Sequence, residues 1–239
     1  MQQNKLKESV FLVNSKQILD LVEKRISLTE LREETLSRVL RICRPDEIAE
    51  ATLWVEDFFQ TYGNYLDNIS IEEFEVLSRF GGKIGTNSYD INYLLRNKKP
   101  LGELARNVEI IDRLMEKLTF QEDTVVYRAL KTFDGIDMEQ EELANVFTDL
   151  GYMSCSLGLE SSYAYFKEYS IVLRIIVPEG TSYMYLEWFK GSDDEKEVLL
   201  PKGMTLIVHS YEEEMVEGQL KKIYDCSIKQ KEKDNEATK

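Results

Sequence analysis

The sequence predicts an α+β protein with a helical first half and a strand-rich second half whose short connections favour mostly antiparallel pairing. Two patterns carry that reading. As far as Leu118, apolar residues return at three- and four-residue steps among Glu, Lys and Arg, whereas after Thr119 the apolar stretches become short, β-branched and aromatic. A third observation is the scarcity of breakers. Only 12 glycines and 4 prolines occur in 239 residues that are 43% apolar, which argues for a globular chain with a sizeable core and against disorder or a fibre.

Each element has its own local signal. From Ser15 to about Cys43, Ile18, Leu19, Val22, Ile26, Leu31, Leu36, Val39 and Leu40 mark one or two amphipathic helices, stopped by Pro45. Asp46 is the predicted N-cap of the next helix, which carries Ile48, Leu53, Trp54, Val55, Phe58 and Phe59 and breaks at Gly63-Asn64. Ser70-Ile71-Glu72-Glu73 fits the capping box, in which serine and glutamate satisfy each other's free amides, and opens a helix through Phe74, Leu77 and Phe80. Glycines 81, 82 and 85 make a loop before a short helix from Ser88 to Arg96, and a further helix ends near Leu118. Strands are expected at Thr124–Leu130, Ile171–Val177, Glu197–Leu200, Met204–His209 and Leu220–Ile228, with one helix at Met138–Leu150 between them. The tail from Lys229 is polar.

Composition narrows the chemistry. With 30 basic and 44 acidic residues the net charge is −14, so nucleic acid and anionic membranes meet repulsion. One histidine (His209) and three widely spaced cysteines (Cys43, Cys155, Cys226) leave little for a metal site, and the single imidazole removes most triads built on a histidine base. Acid and base work falls to carboxylates. No window approaches the apolar length of a membrane span, and Met1 to Ser9 lacks a signal-peptide pattern. The expectation is a protein that acts in a cytosol, its own cell's or a target's, where few cysteines suit a reducing medium.

Three pieces of the second half bear chemistry. Arg128 lies in the middle of an apolar strand, where a guanidinium is costly to bury unless its planar fork meets a carboxylate or phosphate; the plainer alternative is the solvated face of an edge strand. Ser154 and Ser156 share one face of an extended segment, a common pattern at strand starts. Glu195 and Glu197, at i and i+2 where a strand begins, point to one side and bring two carboxylates together, unless they belong to a solvated acidic loop begun by Asp193-Asp194.

Taken in order, an arginine on a strand, Ser-x-Ser 26 residues later and Glu-x-Glu followed by Leu-Leu-Pro-x-Gly resemble the NAD-dependent mono-ADP-ribosyltransferases of the arginine, Ser-x-Ser, Glu-x-Glu group. The likeness is to clostridial binary-toxin enzyme components, their vegetative insecticidal relatives and the smaller bacterial exoenzymes. It spans Phe74 to Ile228 and includes the helix Ser88-Tyr89-Asp90-Ile91-Asn92-Tyr93-Leu94-Leu95-Arg96, similar to the family's Ile-Asn-x-x-Leu-Arg stretch. The resemblance implies a helical N-terminal region over residues 1–73, a catalytic core over 74–228 built as a split, mostly antiparallel β-sandwich, and a polar tail over 229–239. NAD, the co-substrate, would lie in the cleft between two sheets, with no metal.

The roles it implies are specific. Arg128 would clamp the diphosphate, Ser154 would hydrogen-bond Glu197, and Ser156 would border the nicotinamide pocket. Glu197 would be the catalytic carboxylate, stabilising positive charge that develops on the ribose only in the transition state. Glu195 would orient the acceptor and draw its proton, a glutamate here going with guanidinium acceptors, so an exposed arginine on a target protein is implied. Asn92, Arg96 and Tyr89 belong to the helix that lines the other wall. Phe166 matches an aromatic folded over the nicotinamide and would serve equally as core. Departures are Cys155 for the usual threonine, a side chain that faces away from its flanking serines, Tyr169 where a basic residue is frequent, so that one phosphate contact is either lost or supplied by Lys167, and Ser192 where arginine-modifying relatives carry an aromatic. The alternatives are an NAD glycohydrolase and an inactive binding module that docks through residues 15 to 60. Residues 1–73 are the candidate adaptor or target contact.

Overall fold

The computed structural model describes residues 13–42, 45–81, 87–130, 146–158, 169–190, 196–216 and 218–229. The first half is helical: α1 (Ser15–Val22), α2 (Leu28–Ile42), α3 (Ile48–Asp67), α4 (Ile71–Gly81), α5 (Asn87–Arg96), a 3₁₀ turn (Gly102–Leu104) and α6 (Ala105–Met115). Capping explains the boundaries. Asn14 and Gln17 close reciprocal bonds at the start of α1, and Ser27 with Glu30 does the same before α2, which divides the long amphipathic stretch into two helices. The box read at Ser70 is present, with Ser70 N donating to Glu73 Oε2 at 2.8 Å and Glu73 N to Ser70 Oγ at 3.2 Å.

Two expectations for α3 are corrected. It is preceded not by an Asp46 cap but by Glu47, whose helical φ of −97° and ψ of −11° leave no side-chain cap bond. Nor does it break at Gly63-Asn64, because it buries Phe58, Phe59, Tyr62, Tyr65 and Leu66 on both sides of that point. That burial outweighs the cost of about 1 kcal/mol for an internal glycine. Gly63 has a packing reason: a Cβ there would come within 3.2 Å of Leu28 Cδ2 in α2. Phe58 and Phe59 are core residues.

The second half supplies β1 (Thr124–Leu130), β2 (Val146–Asp149), β3 (Met153–Ser156), β4 (Ile171–Val177), β5 (Met184–Tyr185), the short helix α7 (Glu187–Lys190), β6 (Glu197–Leu200), β7 (Met204–Val216) and β8 (Gln219–Ile228). Val146–Asp149 is therefore a strand where the end of a helix was expected, its exposed and buried residues alternating with period two against β7. The remainder of that expected helix, 138–145, lies outside the described residues. β7 runs past His209 because cross-strand pairs such as Glu213 with Lys222 carry the hairpin on to Val216.

The strands follow the order β2-β7-β8-β4-β1-β3-β6-β5, antiparallel except for β4 with β8. The junction between β1 and β3 consists of a single pair, Tyr127 with Ser156, against seven pairs between β1 and β4. A five-stranded and a three-stranded part thus meet at one narrow joint, the split expected of the fold.

The helices lie on this sheet through aromatic packing. Trp188 of α7 has no solvent exposure and sits among Phe58, Tyr62, Tyr65 and Tyr185, with ring centroids 5.3–6.2 Å away. Tyr62 and Tyr183 share a hydroxyl hydrogen bond at 3.1 Å. Trp188→Ala should therefore lower stability by about 3–5 kcal/mol, read as a reduced midpoint of denaturant unfolding; a change within about 0.5 kcal/mol, as at a surface position, would show that this cluster does not hold the helices to the sheet.

Candidate active site

The β1–β3 joint brings together most of the residues singled out from sequence. Arg128 follows Tyr127 of the joint directly, and Ser156 sits opposite Glu197 in the β3–β6 ladder. Ser154, one pleat earlier on the same face, donates its hydroxyl to Glu197 Oε1 in a short hydrogen bond. Glu197 is 9% exposed, and its backbone is held on both sides, N donating to Glu187 Oε1 at 3.2 Å and O accepting from Leu186 N at 3.0 Å. A carboxylate with a fixed rotamer and a fixed backbone is preorganised to face developing positive charge. Ser156 Oγ bonds the backbone of Gly158 and shapes the turn that leaves β3.

Arg128 is neither solvated nor fully paired. One guanidinium nitrogen, Nη2, lies 3.1 Å from Asp149 Oδ2, whereas Nη1 is buried with no hydrogen-bond partner among the described residues. A buried donor left unmet costs about 1–3 kcal/mol, so this nitrogen marks the place for an acceptor.

Asp149 is the residue sequence reasoning missed. It has no exposure, and besides Arg128 it takes Nε and Nη2 of Arg96 from α5 at 2.8 and 2.9 Å and the amide of Gly151 at 2.9 Å. Nothing local marks an aspartate at the end of an expected helix; its signal is spatial, two arginines converging on one buried carboxylate. Beside it, Asn92 Oδ1 accepts Tyr152 N at 2.8 Å. A Cβ on Gly151 would lie 2.7 Å from Asn92 Oδ1 and 3.1 Å from Arg96 Nε, so any larger residue there would force these side chains of α5 to shift.

The other candidates are placed differently. Tyr89 is on α5 but 79% exposed. Phe166, Lys167, Ser192 and Glu195 lie outside the described residues. Just before β6, which starts at Glu197, Lys196 has φ of +52°. No group of three or more metal-ligating side chains occurs among the described residues, and no described helix is long and apolar enough to cross a membrane.

The model of the ADP-ribosyltransferase exoenzyme family matches residues 54–231, well over half of the chain. The chain belongs to this family. Solved structures agree in fold. Plx2a, an ADP-ribosyltransferase toxin from Paenibacillus larvae, superposes with a TM-score of 0.60 at 16% identity, over 72% of this chain and 92% of that one. The Clostridium limosum C3 exoenzyme gives 0.57 at 20% identity, over 72% and 90%. The ADP-ribosylating toxin BECa of a Clostridium perfringens binary enterotoxin, solved with NADH, gives 0.58 at 17% identity over 71% of this chain, which matches about half (46%) of that longer one. No curated protein matches the chain.

Cys155 is buried on the face away from Ser154 and Ser156, where burial, partly opposed by the Arg128 charge and reinforced by Glu197 and Asp149, pushes its thiol up to about 12. A raised value keeps the thiol protonated until the pH approaches it. Iodoacetamide at about pH 8, close to an ordinary thiol's value, should therefore leave Cys155 unmodified in the native protein and modify it after unfolding, as read by peptide mass spectrometry. Rapid native labelling would place that residue at an open surface.

Proposed function

We propose that the protein is a mono-ADP-ribosyltransferase that cleaves NAD at the nicotinamide–ribose bond and transfers ADP-ribose to an arginine of a target protein. The observation that carries the reading is the Ser154–Glu197 hydrogen bond next to the β1–β3 joint, where Arg128 follows Tyr127 in the chain. Membership of the exoenzyme family supports the transferase chemistry, and the arginine acceptor rests on Glu195 in the Glu-x-Glu pair.

The residues present fit NAD. Arg128 Nη1, buried and without an acceptor among the described residues, suits a diphosphate oxygen, and Arg96 brings a second guanidinium to the same corner. NAD supplies a glycosidic bond to a good leaving group. Glu197 holds negative charge beside the ribose as that bond weakens, which lowers the barrier because the attraction is strongest where positive charge has developed. Ser154 keeps the carboxylate from rotating away, and the Glu187 and Leu186 contacts keep its strand in place. Glu195 receives the proton of the attacking guanidinium.

Two substitutions separate the roles. Glu197→Gln preserves shape and removes charge, and should slow nicotinamide release from labelled NAD about 10²–10³-fold, the scale for loss of one preorganised electrostatic group. Glu195→Ala should continue to release nicotinamide while transferring no label to arginine. Undiminished release by Glu197→Gln would remove that carboxylate from the chemistry, and unchanged labelling by Glu195→Ala would overturn the acceptor assignment. Release to water alone by the native chain, with no labelled protein in any extract, would make it a glycohydrolase.

A further inference from the structure

We infer that Asp149 is a positioning residue for NAD, acting through the two guanidinium groups it holds; the inference rests on the reading of Arg128 as the diphosphate clamp. The carboxylate is fully buried at the end of β2, four residues before β3 begins. Its Oδ1 takes Arg96 Nε at 2.8 Å and the Gly151 amide at 2.9 Å, and its Oδ2 takes Arg96 Nη2 at 2.9 Å and Arg128 Nη2 at 3.1 Å. Arginine side chains carry much rotamer entropy, and two cations brought this close repel each other. One carboxylate removes both costs before the ligand arrives.

The orientation is selective. Asp149 occupies Nη2 of Arg128 and leaves Nη1, so the fork is turned with one donor committed to the protein and one directed elsewhere. Charge follows the same logic: two guanidiniums and one carboxylate leave a surplus of one positive charge in a chain whose net charge is −14, enough to attract a diphosphate locally without two naked cations in the interior. Gly151 belongs to the device, since a Cβ there would come within 3.1 Å of the Arg96 Nε that Asp149 holds.

The test is a double-mutant cycle on NAD affinity, measured by calorimetry alongside kcat and KM for nicotinamide release. Asp149→Asn retains the shape and the bond to the Gly151 amide but not the charge. It should weaken NAD binding about 10- to 100-fold, the scale for loss of one hydrogen bond to a charged group, with KM rising in parallel and kcat at saturating NAD falling much less. In an Arg128→Gln background the same change should cost only about threefold, because the group it positions has gone.

An effect on affinity within about twofold, or a penalty undiminished in the Arg128→Gln background, would make Asp149 merely structural and overturn the proposal. Unchanged NAD affinity in Arg128→Gln alone would instead overturn the clamp reading beneath it. Should Asp149→Asn lose its cooperative thermal transition, arginine side-chain NMR of the native protein without NAD decides: separately resolved, slowly rotating Nη signals for Arg128 support a positioned fork, and averaged signals overturn it.

Discussion

Removing a carboxylate from water costs several kcal/mol unless cations and hydrogen bonds repay it, and Asp149 has no exposure at all. Its partners come from three separate parts of the chain: Arg96 from α5, Arg128 from β1 and the Gly151 amide from the turn between β2 and β3. β2 and β1 are the two edges of the five-stranded part of the sheet. The Asp149–Arg128 contact joins those edges, and the Arg96 contact fastens a helix over the same point. The joint at Tyr127 and Ser156, with Ser154 and Glu197 beside it, stands immediately next to that fastening.

A second constraint reaches Glu197 from the helical side. α7 is a single turn, too short to persist alone, and Trp188 anchors it among the rings of α3. Its first residue, Glu187, accepts the Glu197 amide, while Leu186 just before it donates to the Glu197 carbonyl. Packing of the N-terminal helices is thus transmitted over a few residues to the backbone of the proposed catalytic carboxylate. The hydrophobic core is continuous in the same sense, running from Val13 and Ile18 to Cys226 and Ile228.

The chain is strongly acidic, yet the corner assigned to a diphosphate is locally cationic. Arg96 and Arg128 lie together inside, while acidic residues such as Glu212, Glu213 and Glu214 lie exposed on the β7–β8 hairpin. Fields from exposed charges are screened within about 10 Å at ordinary salt, whereas a partly buried pair is screened much less. Net charge therefore says nothing against one buried anion site.

The sequence by itself determined a helical first half followed by a strand-rich second half, the capping box at Ser70 and the ordered set Arg128, Ser154, Ser156 and Glu197, because these depend on spacing along the chain. It misjudged Gly63, read as a break where Leu28 packs, and Val146–Asp149, read as helix where pairing with β7 makes a strand. Only the tertiary structure decided that Asp149 binds Arg96 and Arg128, that Lys196 turns the backbone ahead of Glu197, and that α7 ties Glu197 to the helices. The reason is that periodicity and propensity act over a few residues. A buried carboxylate finds its cations 21 and 53 residues away, where nothing but folding brings them together.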